Sequence, residues 1–253
     1  MKRLATYVMI ALPLLLAAGV FASFKYGSIN GKYIGINEEK IRGNGNVKQE
    51  SRDAAAFTDI STSGVYKVVI TQGSTHSVRI EAEENLLPYI ITDISGGELR
   101  IHSKKGYSIN PTKDIKVYVT LQKVDKLSAS GAGGFTSTNV LNSDRIQLKF
   151  SGAADATLDI KTQSLEVGLS GASNVKLKGS SESAEYGISG AADIQALDLS
   201  TNDVKIGISG TGKANVFVQK KLDVSISGMG TVKYKGDPGV TQAISGMGRI
   251  SKI

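Results

Sequence analysis

The side chains with the most regular spacing that could do chemistry are Asp155, Asn174 and Asp193, which recur every 19 residues. Stacked one above another, their oxygens would form a column able to approach Ca²⁺, a hard cation that prefers oxygen ligands. Ca²⁺ takes about six to eight such oxygens, and no second acidic column flanks this one. These three are therefore the metal candidates of the chain, but a turn role is the expected one, since Asp and Asn tolerate left-handed backbone and bond it locally. His76 and His102 are the only histidines. Neither has an acidic or histidine neighbour at a metal-ligand spacing, so solvated or packed rings are expected. Glu81, Glu83 and Glu84 form a short acidic run not far from Asp93. Sugar hydrolysis needs two carboxylates at a set separation in a groove, a condition that spacing alone does not meet. No serine sits in a Gly-x-Ser-x-Gly elbow, and the serines that recur are better suited to turns than to nucleophilic attack. Tyr107, within Lys104-Lys105-Gly106-Tyr107-Ser108, is the candidate aromatic for ligand contact. No catalytic residue and no cofactor are expected.

Composition narrows the classes further. The 253 residues include 29 glycines, no cysteine and no tryptophan. Disulfide frameworks, thiolate metal sites and cysteine nucleophiles are excluded, and the core must be built from Val, Ile, Leu and Ala. Lys2 and Arg3 precede an uncharged stretch from Leu4 to Phe24, the pattern of a secretory signal. Residues 1–22 are read as a signal peptide cleaved after Ala22. The alternative is an uncleaved anchor, because the run approaches the ~20 residues that span a bilayer. Export to the cell envelope, at the outer surface or in the periplasm, follows from either. The net charge of +7 is scattered and carries no recognition motif, so nucleic acid is not an expected partner. Contact with membrane would come only through an uncleaved N-terminal segment.

These side chains must be positioned by a repeat. Ser-Gly recurs at Ser130, Ser151, Ser170, Ser189, Ser209, Ser227 and Ser245, at intervals of 21, 19, 19, 20, 18 and 18 residues. Before each pair, apolar residues alternate with polar ones, as in Leu165, Val167, Leu169 or Val204, Ile206, Ile208. Period two means strands with one buried face. Two places beyond each Ser-Gly stands a small residue, and apolar alternation then resumes. Such a unit cannot bury its own apolar face and must stack on its neighbours. The arrangement that superposes equivalent residues is an all-β, parallel β-helix (β-solenoid) with coils of about 18–21 residues, spaced ~4.8 Å apart. At this repeat length residues 41–253 would form roughly eleven coils, a rod ~50 Å long. Residues 127–253 are the regular repeat. Residues 46–126 are read as less regular N-terminal coils or a sheet cap, and residues 23–45, with glycines among polar residues, as a flexible tether.

The words and their order also carry a resemblance. Gly45-Asn46-Val47, Phe57-Thr58-Asp59-Ile60, Val69-Ile70-Thr71-Gln72-Gly73, Glu83-Glu84-Asn85-Leu86-Leu87-Pro88-Tyr89-Ile90, Lys116-Val117-Tyr118-Val119 and the serial Ser-Gly turns closely resemble the putative auto-transporter adhesin, head GIN domain family of Bacteroidetes-type bacteria, over about residues 43–253. The resemblance implies a right-handed parallel β-helix, export and an adhesin-like role, and it supplies no catalytic residues. Family members commonly carry Asp three places beyond the glycine of each pair. Here that column reads Gly134, Asp155, Asn174, Asp193, Lys213, Thr231, Arg249, and the two basic residues argue against a continuous metal-binding ladder. The expected function is a non-enzymatic surface or envelope binding module, with an envelope scaffold as the alternative and a carbohydrate-active enzyme behind both. A glycan or protein surface is the expected ligand class, and a homo-oligomer is an open expectation.

Overall fold

The computed structural model describes residues 26–29, 32–35 and 38–253. The signal-peptide expectation for residues 1–22 lies outside them. β1 (Tyr26–Ile29) and β2 (Lys32–Gly35) pair antiparallel as a hairpin, a unit separate from Glu38–Ile253.

The larger unit begins with β3 (Glu39–Arg42), β4 (Val47–Arg52), β5 (Asp59–Gly64), β6 (Tyr66–Gln72) and β7 (Ser77–Glu83). A single 3₁₀ turn at Leu87–Tyr89 leads into β8 (Ile90–Ser95), β9 (Glu98–Ser103), β10 (Tyr107–Asn110), β11 (Ile115–Leu121) and β12 (Lys126–Gly131). Five long strands come next: β13 (Gly134–Phe150), β14 (Asp155–Leu169), β15 (Asn174–Ile188), β16 (Asp193–Ile208) and β17 (Thr211–Ile226). β18 (Met229–Lys235), β19 (Gly239–Ile244) and β20 (Arg249–Lys252) complete the stack.

The Ser-Gly repeat is a parallel solenoid of about 7 turns. On one side Ile60, Leu127, Leu148, Val167, Tyr186, Ile206, Val224 and Gln242 sit in register on successive strands. On the other, Val68, Phe135, Ala156, Val175, Ile194, Ala214, Val232 and Ile250 do the same. The residues expected to face inward are buried, from Ile60 at 0% exposure to Val232 at 0%. Alternation works here because each long strand presents every second side chain to one interior. The Ser-Gly corners extend the ladder through the bend: the amide of Ala172 donates to Gly152 O and that of Ala191 to Gly171 O, both at 3.0 Å.

One expectation needs correction. The coil count is lower than eleven, because residues 73–125 leave the stack. β5 and β6 form a coil, but the strand stacked on β5 is β12, with Ile60 paired to Leu127. The chain between them builds the closed end instead. β9 extends the β5 side and β11 the β6 side in parallel, and β7, β8 and β4 then add antiparallel. The expected tether at 23–45 lies partly outside the described residues. Within it, β3 pairs in parallel with β10 through Glu39–Tyr107 to Arg42–Asn110, and Ile41 packs against the core. An apolar residue and a free strand edge hold residues 39–42 in place.

Candidate binding groove

At a second corner, away from the Ser-Gly one, β13 to β16 carry a hydroxyl where the strand alternation would place an apolar residue, whereas β17 has the buried Val218 there. Ser143, Thr162 and Ser181 are in register there, followed by Thr201. Ser181 Oγ donates to Ser183 O at 2.7 Å and Ser143 Oγ lies 3.0 Å from Arg145 O, while Thr162 Oγ1 is 3.1 Å from the carbonyls of both Asp144 and Ser164. A hydroxyl two residues before the carbonyl it bonds is a local turn device. It helps turn the chain, aided in β15 by Gly179 at φ 110°, and leaves polar neighbours projecting outward.

Those neighbours line an open groove of about 620 Å³ along the stack, among them Asn142, Lys161, Gln163, Glu182, Asn202 and Gln219. The residues come from successive coils, so the donors and acceptors repeat at the strand spacing. Some are already engaged. Gln72 Nε2 donates to Gln122 O and Asn142 O at 2.8 and 2.9 Å, closing the cap end. Asn202 Nδ2 donates to Glu182 Oε2 at 2.6 Å, and Gln219 Nε2 donates to Ser200 Oγ. The side chains of Lys161 and Gln163 make no protein contact of this kind among the described residues and are free for a ligand. Amides, hydroxyls and a few balanced charges can satisfy a polar, extended molecule. They are not arranged to activate a nucleophile.

The sequence candidates fall elsewhere. Asp155, Asn174 and Asp193 do stack on consecutive strands, and Asp155 Oδ1 accepts from both the amide and Nδ2 of Asn174 at 3.2 Å. Their oxygens are thus partly spent on each other, and no group of three or more His, Asp or Glu among the described residues could hold a metal. Tyr107 is half-buried: its ring lies 4.7 Å from that of Tyr89, with Lys104 Nζ 5.6 Å from its centroid. His76 packs edge-on to Phe57 at 5.4 Å. The Nε2 of His102 lies 3.2 Å from Asp93 Oδ2. The antiparallel β8–β9 pair brings them together by placing Ile91 opposite His102, a proximity that sequence spacing does not reveal.

The acidic run is structural. Glu83, fully buried, accepts from Gly45 N at 2.6 Å, Thr112 N at 2.8 Å, Thr112 Oγ1 at 2.6 Å and Lys113 N at 3.4 Å. Burial alone would raise its pKa, but these donors together outweigh it and hold the carboxyl below the usual carboxylate value. Glu81 is lowered by hydrogen bonds from Gln49 and Lys116, and Glu84 by those from Lys48 and Asn46. A glycosidase acid needs the opposite shift.

Residues 56–238 match the family described as "Putative auto-transporter adhesin, head GIN domain". The chain belongs to this family. Solved structures similar to this head GIN domain protein include a putative adhesin from Bacteroides fragilis NCTC 9343, 23% identical, with a TM-score of 0.80 over 84% of this chain and 100% of that one. A putative adhesin from Parabacteroides merdae ATCC 43184 is 25% identical, with a TM-score of 0.68 over 85% of this chain and 99% of that one. A putative lipid binding protein from Parabacteroides distasonis ATCC 8503 is 23% identical, with a TM-score of 0.70 over 85% and 100% of the two chains. No curated protein matches the chain.

Proposed function

We propose that this head GIN domain protein is an exported, non-enzymatic binding module that lays an extended polar ligand, a glycan strand or a protein surface segment, along its second-corner groove. The observation that carries the proposal is the groove itself, in which Asn142, Lys161, Gln163, Glu182 and Asn202 come from successive coils. A ligand with its own repeat can meet several coils at once, so weak single contacts sum. The lowered pKa values of Glu81, Glu83 and Glu84 and the local pairing of Asp155 with Asn174 favour binding over catalysis. The solenoid interior is filled by side chains from Phe57 to Val232, which gives no support to a lipid chain held inside.

Two experiments test this. A glycan array and a panel of matrix proteins are probed with the wild type and with a Lys161→Ala/Gln163→Ala double variant. Expected is a hit weakened about tenfold or more in the variant, the loss of one or two ligand hydrogen bonds, at unchanged Tm. Hits that the variant leaves untouched would rule out the groove. Protease shaving of intact cells, with a periplasmic lysis control, tests location. Digestion places the solenoid outside, whereas protection until the outer envelope is breached favours a role within the envelope.

A further inference from the structure

The two ends of the solenoid are finished differently. The cap has two edge strands: β4 reads Val-Lys-Gln-Glu-Ser-Arg, its charges neutralised by Lys48–Glu84 at 2.5 Å and Arg52–Glu50 at 3.2 Å, and β8 carries one charge, Asp93, paired with His102 at 3.2 Å. A charged, ion-paired edge strand discourages pairing with another chain. At the other end, β19 reads Gly-Val-Thr-Gln-Ala-Ile, carries no charge, and has all six residues exposed. Val240 and Ile244 are in register with Leu222 and Ile226, which are buried at 0% and 1%. They point to the same interior, but nothing among the described residues lies over them, and they remain 40% and 41% exposed. β19 hydrogen-bonds only to β17 and β20 only to β18 among the described residues. The amide of Ser245 donates to Ile226 O and that of Ile253 to Tyr234 O. By strand alternation, the amides of Val240, Gln242, Ile244, Ile250 and Lys252 face the open side.

This edge is also where the charge of the molecule collects. Residues 205–253 hold eight Lys and Arg against two Asp, a net +6 of the +7 of the whole chain. Lys205 and Lys252 are ion-paired, to Glu185 and Asp237. Lys213, Lys233 and Arg249 have no ion pair among the described residues and are exposed on the β17–β18–β20 face. We propose that the β19–β20 edge is a docking site for an extended acidic segment of a partner protein, which adds as a further strand. Its backbone would pair with the open amides and carbonyls of β19 and, beyond the Ser-Gly corner at Ser245, with those of β20; its inward apolar residues would cover Val240 and Ile244 on β19, and its outward carboxylates would meet Arg249 on β20 and Lys233 beside it. A second copy of this chain fits less well, because edge-to-edge pairing sets the same basic face against itself at strand spacing. A lipid surface fits less well too, since exposed backbone groups gain no partners in hydrocarbon.

The test uses the full chain and a fluorescein-labelled sixteen-residue peptide of alternating valine and glutamate, long enough to follow both β19 and β20, with alternating valine and lysine as control, read by fluorescence anisotropy. Expected is saturable binding of the acidic peptide only, weakened by salt. Gln242→Pro removes one open amide without touching the β17 pairing. Lys233→Glu/Arg249→Glu reverses the exposed charge. Each should weaken binding about tenfold or more while far-UV circular dichroism is retained, and Lys161→Ala/Gln163→Ala should leave it unchanged, so that this edge and the groove stand or fall separately. Equal binding of both peptides, or variants that bind like the wild type, would overturn the proposal. So would concentration-dependent dimerisation in sedimentation velocity, or binding to anionic phosphatidylglycerol vesicles, if lost in Gln242→Pro without any peptide binding.

Discussion

Glu83 shows how a single residue can organise an irregular region. Its carboxylate replaces a backbone ladder for Gly45, Thr112 and Lys113, and a Cβ on Gly43 would overlap it. The segment that leads into β4 is thus clamped to the loop before β11 by one buried anion. Replacing it with alanine removes four hydrogen bonds to a buried carboxylate, but the donors belong to the exposed Gly45, Thr112 and Lys113, where water can take over, so it should cost about 2 kcal/mol, measured by chemical denaturation. The same residue makes a pH prediction. Its folded pKa lies below the ordinary 4.5, so its contribution is fully present above that value and is lost as pH falls through the lower folded one. Glu81, Glu84, Glu98 and Glu166 are shifted the same way. Tm should therefore be flat near neutrality and fall below about pH 4.5, less steeply in Glu83→Gln. A Tm that rises on acidification would contradict this.

At the level of the element, the corners determine how closely coils approach. A Cβ on Gly171 would overlap the carbonyl oxygen of Gly152, and the same holds for each Ser-Gly glycine on the coil before it. Gly131 in addition has φ of 125°, which L side chains rarely adopt. Glycine is thus required by backbone-to-backbone contact across coils, not merely by turn propensity. Gly207 is the counterexample, since a Cβ there meets nothing within 4 Å. Gly171→Ala should destabilise by about 2 kcal/mol or more, through strain that the ladder cannot relax. Gly207→Ala should stabilise by ~0.5 kcal/mol, since it removes unfolded-state freedom at no steric cost. Equal effects at the two sites would show that local conformation, not inter-coil contact, decides.

For the whole molecule, one core runs from Phe57 in the cap to Val232 near the open end. Phe150 is buried at 1% and its ring stacks 5.8 Å from that of Phe135. Phe150→Ala should cost about 3–5 kcal/mol, as expected for a large ring removed from a packed core. Because each coil touches only its neighbours, stability should be graded along the stack. Amide hydrogen exchange should be fastest in β19 and β20, with their open edge, and slowest in β12 to β15. Uniform protection would instead mean that the solenoid opens as a single unit. Folding also has a long-range step, because β5 meets β12 only after residues 73–125 have formed the cap or looped out of the way.

What the sequence alone determined was local and periodic. The Ser-Gly interval, the alternation of residues such as Leu165, Val167 and Leu169, and the small residues after each corner imply stacked parallel strands, because strand period and turn chemistry act over a few residues. The tertiary structure decided the rest. Whether residues 73–125 continue the stack or close its end depends on which strand edge is free when they pair, and alternation is the same for parallel and antiparallel neighbours. The His102–Asp93 contact, the inward hydroxyls of Ser143, Thr162 and Ser181, and the groove beside them arise from residues that meet only across strands. The Asp155 column was visible in the sequence because it repeats. Its role was not, because whether an oxygen is free or already bonded to the next coil depends on the distance between coils, which packing sets.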